Sequence, residues 1–127
     1  MAERRMISKK VVDTDLFLDM PVSTRLLYYD LSVRADDDGF VASPKRISRM
    51  VGCSEDDLKL LVAKGYLIPF ESGVCVIRDW KVHNYIPKDR YHETDYRKEK
   101  AMLTEGETGA YSLNAEKSAY LCDSCEP

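Results

Sequence analysis

One pattern occurs twice between residues 43 and 65: a serine, then apolar residues at helical spacing, then a glycine. In the first copy Ser43 is a good N-cap, and Pro44 suits the first helical position, where a missing N–H costs no hydrogen bond. The pattern predicts a short helix that Gly52 closes. We expect its buried stripe to comprise Ile47, Met50 and Val51.

The second copy predicts another short helix directly after the first. Ser54 and Asp57 approximate a capping box of the form S-x-x-D, and Gly65 closes the helix. We expect its buried stripe to comprise Leu58, Leu61 and Val62. Only a few residues around Gly52 join the two helices, as in a helix-turn-helix.

After Gly65 the hydrophobic period changes from helical to β. YLIPF (residues 66–70) and VCVIRDW (residues 74–80) are rich in strand-forming residues, and the loop Glu71–Gly73 between them predicts a hairpin. Pro69 indicates an edge position or a bulge in the first strand. A helix-turn-helix followed by a hairpin is typical of a winged helix, in which the hairpin is the wing.

An earlier, longer helix completes the expected fold. It runs from Ser23 or Thr24 to Ala35, and Phe40–Ala42 then forms a minimal strand that can pair with the hairpin. We expect the buried stripe of this helix to comprise Leu26, Leu27, Leu31, Val33 and Ala35. The order of elements predicts an α+β fold, mainly α: a winged helix-turn-helix of three helices and a hairpin, with N- and C-terminal arms.

The chain of 127 residues corresponds to one domain with arms. We divide it into an N-terminal arm (1–20), a winged-helix domain (21–80), a basic and aromatic arm or extension (81–111) and an acidic tail expected to be disordered (112–127). The net charge is −3, but residues 101–127 carry −4, so the rest of the chain carries +1. An acidic tail therefore conceals a mildly basic body.

Several functional classes lack their sequence signals. No run approaches the roughly 20 apolar residues of a membrane span, and no apolar stretch follows the basic N-terminus as in a signal peptide, so we expect a cytoplasmic protein that does not contact membranes. Cys122 and Cys125 form a lone C-x-x-C, which is weak support for zinc, and we expect no metal and no cofactor. Neither a G-x-S-x-G nor a Walker motif occurs, and we expect no enzymatic activity.

Two acidic clusters bear on the choice of partner. Glu55, Asp56 and Asp57 open the second short helix, where carboxylates stabilise the positive end of the macrodipole. They would meet DNA phosphates with like charge, so this helix does not suit end-on reading of the major groove. ADDDG, residues 35–39, fails the EF-hand pattern because Lys45 falls at loop position 12, and we expect a solvated turn there.

Basic residues in two regions are the candidates for nucleic-acid contact. On the first short helix, Lys45 or Arg46 shares a face with Arg49; a solvated face is the alternative. Between Arg78 and Lys100, seven lysines and arginines alternate with aromatics against five acids, a composition that can hold phosphates and stack bases. The alternative there is an arm whose aromatics pack on the body or on a second subunit. The candidate residues are Lys45, Arg46, Arg49, Lys59, Arg78, Lys81, Lys88 and Arg90.

The strings FLDMPVST, RADDDGFV, IPKDRY and EKAML, together with the residues between them, resemble the N-terminal domain of phage and prophage replication proteins of Gram-positive bacteria. These are the replisome organisers or DnaD-like replication initiators, and the resemblance covers residues 6–111. It implies a winged helix that acts in starting DNA replication by binding origin DNA, by self-assembly, or by both. Relatives usually carry a second domain that helps to recruit the helicase machinery, whereas SLNAEKSAYLCDSCEP in this chain matches nothing in that pattern.

Three functions are compatible with these observations. The first is a DNA-binding module in phage replication initiation, with duplex or single-stranded DNA as its partner. The second is a protein–protein or oligomerisation module of the primosome, which contacts a second copy or host replication proteins. The third is a prophage transcriptional regulator. The acidic start of the second short helix argues against the third more than against the first, because a regulator needs a base-reading helix.

Overall fold

The computed structural model describes residues 4–107 and 109–113, and the fold they adopt is mixed α+β. The predicted acidic tail lies almost wholly outside these residues. The described helices are α1 (Lys9–Val12), α2 (Asp15–Leu18), α3 (Val22–Arg34), α4 (Pro44–Met50), α5 (Glu55–Ala63), α6 (Trp80–His83) and α7 (Arg97–Lys100). The strands are β1 (Phe40–Val41), β2 (Leu67–Pro69), β3 (Cys75–Ile77), β4 (Leu103–Glu105) and β5 (Tyr111–Leu113). No helix in the described part of the chain is both long and apolar enough to cross a bilayer.

The N-terminal segment is fixed to the core by capped turns and one aromatic side chain. Ser8 caps α1, and Thr14 caps α2 by accepting a hydrogen bond from the backbone N–H of Phe17. The Phe17 ring is fully buried and packs edge-on against Tyr28 and Tyr66. Residues 4–20 therefore contribute to the core of the body.

Helix α3 begins one residue before the predicted range, with Pro21 at its N-cap. Its buried face contains Thr24, Leu27, Tyr28 and Leu31. The prediction that Leu26 and Val33 belong to the buried stripe is wrong, because they remain 47% and 65% exposed. Both residues lie on the opposite side of the helix from Leu27 and Leu31. Apolar character alone therefore does not predict which face of this helix is buried.

Helices α4 and α5 form where the repeated pattern predicts them. Pro44 occupies the first turn of α4, and a full capping box joins Ser54 to Asp57 at the start of α5. The prediction that Met50 is buried is wrong, because its side chain is 62% exposed. The buried positions of α4 are instead Pro44 and Ser48, and the Ser48 hydroxyl donates to the Ser54 carbonyl at 3.0 Å.

The three-stranded antiparallel sheet has the order β1-β3-β2, so the predicted hairpin is present and β2 is an edge strand, as Pro69 indicates. Phe40 pairs with Val76 in β3, which confirms that the minimal strand joins the hairpin. The turn closes through hydrogen bonds from Phe70 N–H to the Val74 carbonyl and from Gly73 N–H to the Phe70 carbonyl. The inner face of this sheet packs on α3 and α5 residues in one hydrophobic core.

The segment that follows β3 folds back onto this body. Helix α6 places Trp80 and His83 in the interior, and the β4–β5 hairpin brings in Tyr111, which is also buried. Tyr111 N–H donates to the Arg78 carbonyl, and its hydroxyl donates to the Asp38 carbonyl at 3.0 Å. Residues 81–107 and 109–113 are thus tied to the turn between α3 and β1.

Candidate nucleic-acid interface

The exposed face of α4 is the most cationic helical surface of the described chain. Lys45, Arg46 and Arg49 are all exposed, and α4 contains no acidic residue. Within residues 4–107 and 109–113, none of the three takes part in an ion pair. Their charges are therefore available to an anionic partner at no cost in internal interactions.

The turn between α4 and α5 holds this face in place. Gly52 adopts a φ of +83°, and Cys53 N–H donates to the Ser48 carbonyl at 2.8 Å. The Ser48 hydroxyl also donates to the Ser54 carbonyl, so two hydrogen bonds join Ser48 of α4 to the residues that lead into α5. Because these bonds fix the orientation of α4, its cationic face needs no rearrangement to contact a phosphate.

Only part of the acidic start of α5 faces solvent. Asp57 is buried and accepts hydrogen bonds from the hydroxyls of Ser23 (2.8 Å) and Thr24 (2.7 Å) on α3, besides the capping bonds with Ser54. Burial raises the pKa of Asp57, but the hydrogen bonds from Ser54, Thr24 and Ser23 outweigh burial and lower it. Asp57 therefore holds α5 to α3 as a carboxylate, while Glu55 and Asp56 remain exposed.

An open groove of about 290 Å³ separates the helices from the hairpin. Lys45 lies at its edge on α4, Leu58 and Val62 of α5 form its floor, and Glu71 lies at the hairpin turn. The hairpin from Leu67 to Ile77 contains no lysine or arginine. The hairpin therefore adds no positive charge to the α4 surface.

Two of the predicted contact residues are engaged inside the molecule. Arg78 pairs with Asp79 at 2.9 Å, and its guanidinium lies 5.5 Å from the centre of the Tyr66 ring. Lys81 pairs with Glu105 at 2.8 Å, which joins α6 to β4. Phosphate binding by either side chain would compete with these pairs, so both are weaker candidates than the residues of α4.

Lys88 and Arg90 are exposed in the loop between α6 and α7. The two residues that follow Arg90 anchor this loop to the body. The Tyr91 hydroxyl donates to Asp38 at 2.7 Å, and His92 N–H donates to Asp37 at 3.0 Å. The remaining candidate, Lys59, is exposed on α5, on the same helix as Glu55 and Asp56. Among the described residues, the candidates without an ion pair are therefore the α4 cations, Lys59 on α5, and the two cations of this loop.

The aromatic residues of the loop do not form a phosphate-compatible platform. Tyr85, which is 79% exposed, and Tyr91 line an open cavity of about 420 Å³. Glu105 and Glu107 line the same cavity, and the one lysine there, Lys81, is already paired with Glu105. The acidic lining disfavours a nucleic-acid backbone in this cavity, so the cations of α4 are stronger candidates for phosphate contact than the residues around it.

The prediction of a solvated turn at residues 36–38 is wrong. Asp37 and Asp38 are 3% and 0% exposed, and we call Asp36–Asp38 the acid turn. Asp38 accepts from the Thr94 backbone N–H at 2.9 Å and pairs with Lys100 at 3.3 Å, in addition to its bonds with Tyr91. Asp36 accepts from the Thr94 hydroxyl and from the backbone of Phe40, while burial raises its pKa. The carboxylates are buried because residues distant in the chain supply the donors.

The N-terminal arm supplies the counter-charge to Asp37. Arg5 Nη1 lies 3.1 Å from Asp37 Oδ1, and the two side chains are 5% and 0% exposed. Arg5 Nη2 donates to the Ala35 carbonyl at 2.8 Å, and the guanidinium lies 5.2 Å from the centre of the Trp80 ring. No local motif marks Arg5, Thr94 or Lys100 as partners of the acid turn, because they lie far from it in sequence, Arg5 before it and the other two after it.

The cysteine thiols and metal ligands of the described residues offer no reactive centre. Burial raises the pKa of Cys75 to about 12, and burial together with Asp57 and Asp30 raises that of Cys53, so both stay protonated. No group of three metal-ligating side chains occurs within residues 4–107 and 109–113. Cys122 and Cys125 lie outside the described residues.

Comparison of the chain with models of protein families, with curated proteins and with solved structures finds no match.

Proposed function

We propose that α3 to α5 and the β1-β3-β2 sheet form a winged helix, and that this domain binds DNA through the exposed face of α4. The observation that carries the proposal is the cluster of three exposed cations, Lys45, Arg46 and Arg49, on a helix without acids. The resemblance of the sequence to phage replication proteins supports a role in replication initiation. Lys88 and Arg90 supply further phosphate contacts at the loop.

The proposed contacts are to phosphates, and they give affinity without reading the base sequence. Lysine and arginine side chains on phosphates position a protein on DNA but carry no direct sequence information. Glu55 and Asp56 at the start of α5 would repel the backbone in an end-on docking of that helix. The expected binding is therefore of modest strength, steeply dependent on salt and tolerant of sequence.

The salt dependence of binding tests this mode directly. Fluorescence anisotropy is measured on a labelled duplex and on a single strand of equal length over a series of salt concentrations. Three phosphate contacts from α4 give a log–log slope of about −3 on duplex DNA, and the loop cations steepen it. A slope near zero, or no binding even at low salt, contradicts the proposal.

Charge reversal locates the contacts. Arg46→Glu with Arg49→Glu is expected to weaken duplex binding at least about tenfold at low salt and to flatten the slope by about 2. Lys9→Glu with Lys10→Glu, on exposed residues of α1, makes the same change in total charge and is the matched control. Equal losses in both double variants would mean that net charge, and not the α4 face, governs binding. Lys88→Glu with Arg90→Glu measures the share of the loop.

A further inference from the structure

Helix α3 has two apolar faces, and only one of them belongs to the core. Thr24, Leu27, Tyr28 and Leu31 are fully buried. On the opposite side, a second row of apolar side chains is exposed in whole or in part: Val22 is 73% exposed, Leu26 47%, Tyr29 38% and Val33 65%. The Tyr29 ring also packs edge-on against Phe17, which leaves part of it accessible. A helix with apolar residues on opposite faces is typical of one that lies between two packed bodies. We call Val22, Leu26, Tyr29 and Val33 the outer stripe.

The spacing of the outer stripe is that of a helix–helix seam. Its members are four, three and four residues apart, which is the a/d alternation of a left-handed helix pair. In that register Arg25 occupies a g position on one side of the stripe, and Asp30 occupies an e position on the other side. The stripe is therefore bordered by a cation along one edge and by an anion along the other.

We propose that the outer stripe is the contact surface for a second copy of this chain, whose own α3 packs beside it in parallel about a two-fold axis. In a parallel pair, a g residue faces the e residue five positions later on the partner helix. Arg25 of each copy then meets Asp30 of the other, so both edges are complementary. An antiparallel pair would instead bring Arg25 against Arg25 and Asp30 against Asp30.

The rest of the molecule leaves room for this arrangement. The core face of α3 is held to α5 through the bond from the Thr24 hydroxyl to Asp57, so the outer stripe faces away from that helix. Arg25 uses only Nε to bind the Met20 carbonyl, and Asp30 pairs with Arg34 in an exposed contact that contributes little. The proposal is independent of DNA binding, because it uses no residue of α4 or of the loop.

The pair is expected to be weak. Helix α3 has 13 residues, a length of roughly 20 Å, so the interface is smaller than the roughly 800 Å² per partner of a standard stable complex. We therefore expect a dimer that forms and dissociates over the range of about 1 μM to 1 mM. Sedimentation equilibrium over that range should show the mass rise from 14.6 kDa towards twice that value. A constant monomer mass overturns the proposal.

Substitutions on the stripe locate the contact. Leu26→Asp with Val33→Asp should keep the protein monomeric over the whole range, since both residues are exposed and neither supports the core. Met50→Asp is the matched control, because Met50 is similarly exposed but lies on α4, and it should leave the dimer unchanged. Thermal unfolding confirms that each variant is folded. A dimer that survives the change in the stripe overturns the proposal.

Charge exchange tests the parallel orientation independently of the apolar contacts. Arg25→Glu alone and Asp30→Arg alone should each weaken self-association at least about fivefold, because each leaves like charges opposed. The double variant with both changes should recover the wild-type dimer. An equimolar mixture of the two single variants should form a heterodimer. One of its two cross-pairs joins the introduced glutamate to the introduced arginine, and the other is the wild-type pair of Arg25 with Asp30, whereas both cross-pairs are repulsive in either homodimer. Failure of both the double variant and the mixture to associate overturns the parallel arrangement.

Discussion

At Gly39, the absence of a side chain allows the chain to turn from α3 into β1 beneath the indole of Trp80. The residue has a φ of +89°, a conformation that is costly for any residue with a Cβ. A Cβ at this position would lie 2.5 Å from Cγ of Trp80, whose Nε1–H donates to the Asp37 carbonyl. Both the backbone conformation and the available space therefore require glycine.

Comparison of two glycines separates these requirements. Gly73 has a φ of +93°, but no neighbouring atom lies within 4 Å of the point that a Cβ would occupy. Gly73→Ala should therefore lower the free energy of unfolding only by the cost of the backbone conformation, roughly 1–2 kcal/mol. Gly39→Ala should lower it by that amount and by about 1–3 kcal/mol more, because the added methyl group would overpack against Trp80. Urea denaturation measures both, and equal losses would mean that Trp80 moves aside freely.

His83 connects the N-terminal arm to the core through both ring nitrogens. Nδ1 accepts from the Ser8 backbone N–H at 2.8 Å, and Nε2 lies 2.6 Å from the Tyr28 hydroxyl. Because Nδ1 accepts, we assign the proton of the neutral ring to Nε2. Burial lowers the pKa of His83 below 6.5, and the charge of Asp79 opposes this only in part.

The sign of the pH dependence follows from this direction. Between the native pKa and about 6.5 the unfolded chain binds more protons at this site, so the free energy of unfolding falls as pH falls through that window. His83→Gln should remove this component, because glutamine has no titrating ring. His92→Gln, which changes an exposed histidine, should retain it. Thermal unfolding at several pH values between about 5 and 8 checks this, and identical profiles for all three proteins would contradict it.

Among the helices, one carboxylate both caps α5 and joins it to α3. Asp57 receives the backbone N–H of Ser54 and the hydroxyls of Ser23 and Thr24. The capping box thus does more than start a helix, because the same side chain fixes the packing of two helices. Glu55 and Asp56 have no such partners on α3 among the contacts of the described residues.

Substitution of the neighbouring aspartates tests this division of roles. Asp57→Ala should lower the free energy of unfolding by about 2–3 kcal/mol, because it removes a cap and leaves two hydroxyls without their acceptor. Asp56→Ala, on an exposed side chain, should change it by less than about 0.5 kcal/mol. Urea denaturation of both variants measures the difference. Comparable losses would mean that only the macrodipole interaction matters.

Local signals account for the elements that the sequence predicts well. Ser54 with Asp57, Pro44 and the glycines at 52 and 65 act over three or four residues, so the ends of α4 and α5 follow from them. The faces are harder to predict. Leu26, Val33 and Met50 are apolar and at helical spacing, but a short helix rich in such residues does not specify which side meets the sheet. The exposed cations of α4 were predictable, whereas the internal pairing of Arg78 and Lys81 depends on tertiary contacts.

Over the whole molecule, the two ends of the described chain meet at the acid turn. Arg5 reaches Asp37 from the N-terminal side, and Tyr91, Lys100 and Tyr111 reach Asp38 or its carbonyl from the C-terminal side. No local sequence pattern predicts these contacts, because 32 to 73 residues separate the partners. The acid turn thus converts two flanking segments into parts of one body.

Removal of Arg5 should expose the cost of burying Asp37. Arg5→Ala leaves a carboxylate that is 0% exposed without its counter-charge, and we expect a loss of about 3–5 kcal/mol in the free energy of unfolding. Arg4→Ala removes the adjacent, exposed arginine and should have an effect below about 0.5 kcal/mol. Thermal and urea unfolding compare the two variants. A small effect of Arg5→Ala would mean that water readily replaces the guanidinium.

The wide separation of these partners also sets an order of events during translation. Asp38 leaves the ribosome before Tyr91 and Tyr111, which follow it by 53 and 73 residues. Until they emerge, the nascent chain cannot bury the carboxylates of the acid turn, and these stay hydrated. Helices α3 to α5 rest on short-range contacts that form early, whereas closure over Asp38 needs contacts distant in sequence, which form slowly. The domain is therefore completed only near the end of synthesis of its described part.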